Sequence, residues 1–197
     1  MKISKRPLGT VRLIAGKLRS RIVQFNPDLG VRPTTDRLRE TMFNWLSHDL
    51  IDARCLDLFA GSGAMGFEAA SRGASHVLMC DTHPKVIESL KANVRNLKEE
   101  AVCQILNYTW SPQSKPLTTT PLTIIFLDPP YEQNLLIPAI FWCYESGAAN
   151  QNTLICFEAE KSLDLSALNE TMDFIKHKHT KHIQYGLLIK RKLNEIK

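Results

Sequence analysis

Leu56-Asp57-Leu58-Phe59-Ala60-Gly61-Ser62-Gly63-Ala64-Met65-Gly66 is the stretch on which the fold turns. An apolar run reaches Phe59 and passes directly into glycines spaced G-x-G-x-x-G, with small and apolar residues behind them. Strand, tight glycine turn and helix start, in that order, can hold a nucleoside-containing cofactor. Asp81 follows Gly61 by about twenty residues, at the end of the next apolar run, where a carboxylate can accept a ribose diol. Dinucleotide-binding proteins share that much. Asp57 separates the alternatives, because a carboxylate beside the turn repels a pyrophosphate. It suits a phosphate-free cofactor with cationic amino and sulfonium groups, which is the chemistry of S-adenosylmethionine. Asp57 can also cap backbone N–H groups of the turn, a role compatible with the same cofactor. Phe59, Ala60, Ser62 and Gly63 in the turn, with Thr82 beside Asp81, complete this candidate cofactor set.

Outward from this stretch the strand–helix alternation continues. Strands are expected at 55–59, 75–80, 102–106, 122–127 and 153–157. Helices are expected at 64–72, closed by Gly73, and at 83–98, where Val86, Ile87, Leu90, Val94 and Leu97 form one stripe. A further helix over 133–145 contains Pro138, and 111–120 reads as a loop because Pro112, Pro116 and Thr118 to Thr120 oppose a helix. The tail, 173–192, reads as two antiparallel β-prone stretches around His182. Apolar strands alternating with helices imply an α/β fold, its sheet mostly parallel and covered on both faces.

Before this domain, Thr10 to Ala15 and Arg21 to Phe25 read as a small hairpin. Residues 1–30 are expected to form a basic hairpin extension and 31–197 the main domain. A helix opening at Thr34 or Thr35 should run to about Leu50, with Leu38, Met42, Trp45 and Leu46 on its apolar side.

A second constellation follows the run Leu122 to Leu127: Asp128-Pro129-Pro130-Tyr131. An exocyclic amine on a nucleobase is a poor nucleophile, since its lone pair is delocalised into the ring. To react, the nitrogen must move toward tetrahedral geometry with its N–H bonds held by acceptors. The Asp128 carboxylate and the Pro129 carbonyl can hold them, the two prolines stiffen the backbone, and Tyr131 can stack on the base for roughly 1–3 kcal/mol. The expected chemistry is methyl transfer to a nucleobase nitrogen, with Asp128 polarising the amine and taking its proton late.

Charge points to the partner. The chain of 197 residues carries a net +5, unevenly spread. Residues 1–40 hold ten Lys/Arg against three Asp/Glu, and 171–197 hold seven against two, while 41–170 hold eight against fifteen. Basic ends around an acidic centre suit a polyanion, and Arg12, Lys17, Arg19 and Arg21 on or beside the hairpin turn are the candidate phosphate contacts. No apolar run approaches the roughly 18 residues of a membrane span. The start shows no apolar segment of a secretory signal. Five scattered cysteines, Cys55, Cys80, Cys103, Cys143 and Cys156, read as buried thiols in a reducing cytoplasm. His177, His179 and His182 lie among lysines without partner carboxylates and read as solvated strand residues, so no metal is expected.

Together these residues resemble the RsmD-like methyltransferases of bacteria, which modify the N2 of one guanine in 16S ribosomal RNA. The likeness runs through Arg12-Leu-Ile-Ala-Gly-Lys17, Arg32-Pro-Thr-Thr-Asp-Arg-Leu-Arg-Glu-Thr-Met-Phe-Asn-Trp-Leu46, Leu56 to Gly66 with Ser71-Arg-Gly-Ala74, and Leu127-Asp-Pro-Pro-Tyr131. It implies a Rossmann-like class I methyltransferase fold ending in an antiparallel strand pair, and S-adenosylmethionine as donor. It implies that Arg32, Thr34, Thr35, Asp36 and Arg37 lie over the donor's methionine end. The acceptor would be 16S rRNA within a small ribosomal subunit or its assembly intermediate, and the enzyme a monomer. Asp81 stands where the family commonly has Glu. Near Asn107-Tyr-Thr-Trp110, where many such enzymes place an acid beside the adenine amine, Thr109 or a main-chain carbonyl must accept instead, with Trp110 flanking the ring. Two other readings stay open: an adenine-N6 or other exocyclic-amine methyltransferase on DNA or another RNA, and a non-catalytic RNA-binding assembly factor.

Overall fold

The computed structural model describes residues 7–30 and 34–192; Arg32 lies outside the described residues. The chain forms two compact units, Met1–Thr109 and Trp110–Lys197.

In the first unit, β1 (Gly9–Arg12) and β2 (Ile22–Phe25) form the expected antiparallel hairpin. Then come α1 (Asp36–Trp45), β3 (Arg54–Asp57), α2 (Ala64–Ser71), β4 (His76–Asp81), α3 (Pro84–Leu97) and β5 (Cys103–Asn107). The three strands are parallel, in the order β5-β4-β3. β3 and β4 are buried nearly throughout, which is why both read as apolar runs without alternation. α3 starts at the His83 cap, whose Nδ1 accepts the Lys85 N–H, and ends at Lys98 in the left-handed region. Its stripe Val86, Ile87, Leu90, Val94 and Leu97 is buried as expected.

The hairpin is built onto this unit through its backbone. Asn93 on α3 accepts the Gln24 N–H at 3.1 Å and donates to the Gln24 carbonyl at 2.7 Å. At the turn, the Lys17 N–H donates to the Ser71 carbonyl at 2.8 Å and the Leu18 N–H to the Ser71 hydroxyl at 2.9 Å. Gly16, at φ +79°, lies so close to α2 that a Cβ there would stand 1.9 Å from the Ser71 carbonyl oxygen. Only glycine satisfies both constraints.

In the second unit, β6 (Ile124–Leu127), α4 (Leu136–Glu145), β7 (Leu154–Glu160), β8 (Met172–His179) and β9 (Ile183–Lys190) give the strand order β6-β7-β9-β8. β6 and β7 are parallel; β9 is antiparallel to both β7 and β8. The expected class therefore holds, with parallel strands alternating with helices and an antiparallel C-terminal pair. All five cysteines are buried, and burial pushes Cys55, Cys80, Cys103 and Cys143 up to about 12, out of the reactive range.

Several boundaries differ from expectation: β1 ends at Arg12 and β3 at Asp57, short of Ala15 and Phe59, and β6 starts at Ile124, after Leu122. α1 stops at Trp45, not near Leu50: Ser47, His48 and Asp49 are exposed poor helix formers, and the chain turns so that Leu46 and Leu50 are both buried. α4 starts three residues after 133, because Glu132 and Asn134 adopt positive φ of 62° and 52°. Pro138 is thereby the third helical residue, where its missing N–H costs no intrahelical bond. β7 runs beyond Phe157 to Glu160, although Glu158 and Glu160 are poor strand formers.

Candidate functional site

The glycine turn is held by two carboxylates. Ala60 donates to the Cys80 carbonyl at 2.8 Å, and Gly63 to the Ala60 carbonyl at 2.7 Å, which folds the loop tightly between β3 and α2. Gly61 and Gly63 take φ of +50° and +76°, a region costly for other residues. Gly66 packs so closely on β4 that a Cβ would stand 2.5 Å from the Met79 sulfur.

Asp57 closes β3, is 2% exposed, and accepts the Gly66 N–H through Oδ2 at 3.0 Å. Burial pushes its carboxyl up to about 7; the Gly66 bond opposes that and the charge of Asp81 adds to it. The capping role considered from sequence is therefore present. Asp81 ends β4, its Oδ2 accepting the Gly61 N–H at 3.0 Å and its Oδ1 the His83 N–H at 2.8 Å. It ties the turn to the start of α3, and each oxygen retains a lone pair for a diol.

The donor set bears on the cofactor. The Gly61 amide, which a phosphate would need, is already given to Asp81. The charge that bears on Asp57 is another carboxylate. Such a pocket fits a cationic, phosphate-free group and opposes a pyrophosphate. S-adenosylmethionine meets both conditions.

Of the other cofactor candidates in this unit, Phe59 and Gly61 are half-buried, Ala60 and Gly63 buried, and Thr82 and Thr109 exposed. Ser62 is buried, and its hydroxyl accepts the Ala64 N–H at 3.3 Å. Thr34 is buried; Thr35, Asp36 and Arg37 are exposed. Thr35 is the N-cap of α1 by position, but its side chain makes no capping bond. Asp36 accepts from Arg39 at 3.1 Å.

Arg39 and Glu68 carry weight that sequence reasoning missed. Both side chains are fully buried. Glu68 accepts the Ile14 and Ala15 N–H groups at 2.8 and 3.1 Å and pairs with Arg72 at 2.7 Å. Arg39 donates to the Arg12 carbonyl at 2.6 Å, with its Nε 3.8 Å from Glu68. Burial lowers the Arg39 pKa, and Glu68 and Asp36 oppose that shift. This network fastens the hairpin to α1 and α2, so the extension is a docked platform. Arg12, Lys17, Arg19 and Arg21 all remain exposed on it. Lys17 pairs with Glu99 at 2.8 Å and Arg21 donates to the Asn96 carbonyl at 2.8 Å.

In the second unit, Asp128 follows β6 directly and is half-buried, Pro129 is buried, and Pro130 and Tyr131 are exposed. The Tyr131 hydroxyl donates to Glu158 Oε1 at 2.5 Å, which fixes the ring at its far end. Although the residue is exposed overall, desolvation of its hydroxyl and that bond, with Asp128 and Glu160 nearby, push the phenol far above its usual range, so it stays a donor. The Glu132 N–H donates to Glu160 at 3.2 Å and anchors the chain after the tetrapeptide. Trp110 packs edge-on against Trp142, ring centroids 6.0 Å apart. His177 and His179 are exposed, with His177 stacked on Phe174 and bonded to Gln184 at 3.0 Å. Among the described residues, no group of three or more His, Cys, Asp or Glu could hold a metal ion, and no helix is long and apolar enough to cross a membrane.

Comparison with known proteins bears on the family and the fold. A family described as conserved hypothetical protein 95 matches residues 11–189. The ribosomal RNA small subunit methyltransferase D of Haemophilus influenzae is 38% identical over 185 residues, covering 91% of this chain and 93% of the relative. Its Escherichia coli counterpart is 35% identical over 179 residues, covering 91% and 89%. A putative methyltransferase from Escherichia coli superposes with a TM-score of 0.81 at 34% identity, over 94% of this chain and 100% of that structure. A putative methylase from Haemophilus influenzae gives 0.78 at 35% identity, over 93% and 100%. The fold is that of class I methyltransferases.

Proposed function

The chain belongs to the RsmD-like methyltransferase family, and from that premise we propose that it methylates the exocyclic N2 of one guanine in 16S ribosomal RNA. The observation that carries the reading is the build of the strand-end tetrapeptide: a carboxylate and a carbonyl on rigid prolines, beside an aromatic ring pinned through its hydroxyl.

Asp57, Asp81 and the turn from Phe59 to Gly63 would hold S-adenosylmethionine, with Thr82, Thr109 and Trp110 toward the adenosine and Arg32, Thr34 to Arg37 toward the methionine end. When bound, it supplies an electrophilic methyl group on a sulfonium. Asp128 and the Pro129 carbonyl accept the two N2 hydrogens and turn the nitrogen lone pair out of the ring. As the nitrogen–carbon bond forms and the carbon–sulfur bond breaks, Asp128 takes the proton that N2 sheds. Tyr131 stacks on the ring and fixes its plane. Such alignment can contribute about 7–11 kcal/mol to lowering the barrier. The acceptor guanine leaves any stack it occupies, at a cost of a few kcal/mol. The exposed basic platform contacts phosphates of the same RNA, in a small subunit or its assembly intermediate, and the enzyme works in the cytoplasm as a monomer.

Titration calorimetry with S-adenosylmethionine, paired with methyl incorporation into 16S rRNA, tests this. Asp128→Ala should bind the donor as the parent does and transfer almost nothing. Retained turnover in that variant removes Asp128 from the mechanism, and no donor uptake by the parent protein leaves an RNA-binding factor without catalysis.

A further inference from the structure

Glu158 is the group in the second unit that the mechanism above leaves half used. It lies on β7 and is only 7% exposed. Register sets it at the acceptor end: Leu127 pairs with Phe157 on the parallel strands β6 and β7, so the next residues along are Asp128 and Glu158. Asp128 lies just past the end of β6, and its charge and that of Glu158 both bear on Tyr131, which brings the two carboxylates to one place. One carboxylate oxygen, Oε1, receives the Tyr131 hydroxyl at 2.5 Å. The other, Oε2, is buried and meets no hydrogen-bond donor among the described residues. A buried carboxylate oxygen without a donor is expensive to maintain, burial raises the Glu158 pKa accordingly, and a donor that reaches Oε2 relieves that cost.

The missing partner has to be an N–H or O–H donor that arrives at the face on which Asp128 holds the base. Guanine offers one beside its reacting amine: N1–H is adjacent to N2 on the same edge. Adenine presents a bare N1 next to its N6 amine, an acceptor that would face the carboxylate lone pairs. The tetrapeptide grips an amine and does not tell these bases apart; a fixed acceptor next to it would.

Resting on the reading of guanine N2 as the methyl acceptor, we infer that Glu158 Oε2 accepts the N1–H of the target guanine and thereby sets the choice of base. Tyr131 holds the carboxylate in place through Oε1, and Glu158 in return holds the ring that stacks on the base. The residue contacts substrate, and its role is specificity.

The test replaces the target guanosine in an rRNA fragment by 2-aminopurine, which keeps the N2 amine and has an acceptor at N1. The parent enzyme should methylate guanine at least about 100-fold faster, since an unpaired buried polar group discriminates strongly. Glu158→Gln keeps an oxygen for Tyr131 and places an NH2 toward N1. It should lose about 100-fold on guanine and narrow the preference over 2-aminopurine at least tenfold, with donor affinity unchanged. Tyr131→Phe removes the hydroxyl and leaves the carboxylate, so its preference should stay within a few-fold of the parent's. Equal loss on both substrates in Glu158→Gln, matched by Tyr131→Phe, would show that Glu158 only braces Tyr131 and overturns the proposal. So would a parent enzyme that methylates 2-aminopurine as fast as guanine, whatever the variants do. A parent enzyme that methylates no guanine N2 at all overturns the underlying reading instead.

Discussion

Asp57 Oδ2 accepts the Gly66 N–H at 3.0 Å, so the residue that ends β3 also fixes the third residue of α2. One carboxylate thus sets the glycine turn between them, and it does so at 2% exposure with its pKa raised to about 7.

That cost makes stability depend on pH in a defined direction. The folded-state pKa stands above the ordinary 3.8, so between about 4 and 7 the folded state binds the proton more tightly than the unfolded chain. Stability from this group is greatest below that window and declines as pH rises through it. Asp57→Asn keeps an oxygen for Gly66 and removes the charge. In urea melts it should be more stable than the parent above pH 7, the difference vanishing toward pH 4, while affinity for S-adenosylmethionine falls at least tenfold. Equal pH profiles for the two proteins would contradict a charged Asp57 in the resting fold.

Glu68 and Arg39 hold the hairpin platform from inside. Glu68→Gln removes the buried carboxylate beside the Arg39 guanidinium, leaving it the exposed Asp36, and should cost about 3–5 kcal/mol in chemical denaturation. The Arg39→Met, Glu68→Met double variant should recover much of that loss, because two apolar side chains replace two desolvated charges. A double variant as unstable as the single one would argue that the backbone bonds to Ile14 and Ala15 dominate.

Glycine at 16 is required by contact as well as by dihedral. Gly16→Ala meets the Ser71 carbonyl at 1.9 Å, whereas Gly30→Ala, at φ +74°, meets nothing within 4 Å. The second should cost about 1 kcal/mol, the strain of a left-handed alanine alone. The first should cost several times more and raise hydrogen exchange across residues 13–20. Similar costs for both would mean that the hairpin turn is looser than its bonds to α2 suggest.

Much of this architecture is legible from the chain. Continuous apolar runs marked β3, β4 and β6 because buried parallel strands need no alternation, and Gly61, Gly63 and Asp128-Pro-Pro-Tyr131 stand where strand ends must be. Glu158 and Arg39 escaped that reading for a common reason. Local propensity treats a charge as solvated, and only tertiary pairing turns it inward. A carboxylate inside the apolar run Leu154 to Ala159 was the available sign of β7's true length. The docking of the hairpin was equally hidden, since its bonds to Ser71, Glu68 and Asn93 join residues far apart in sequence.

The basic platform separates into free and committed charges. Lys17 is paired with the nearly buried Glu99, while Arg19 is exposed. Arg19→Ala should weaken RNA binding evenly across sequences and lower the salt slope by about one. Lys17→Ala should act mainly on stability, because it strands Glu99. RNA affinity independent of salt would remove the platform from recognition.

The central claim is that the amine gripped at Asp128 is the N2 of one guanine in small-subunit rRNA, and mass mapping of modified nucleosides addresses it most directly. Ribosomal RNA from cells lacking the gene should lose a single N2-methylguanosine in 16S rRNA, restored by the parent gene and not by Asp128→Ala. An unchanged set of modified nucleosides, or the loss of an N6-methyladenosine instead, would contradict the account.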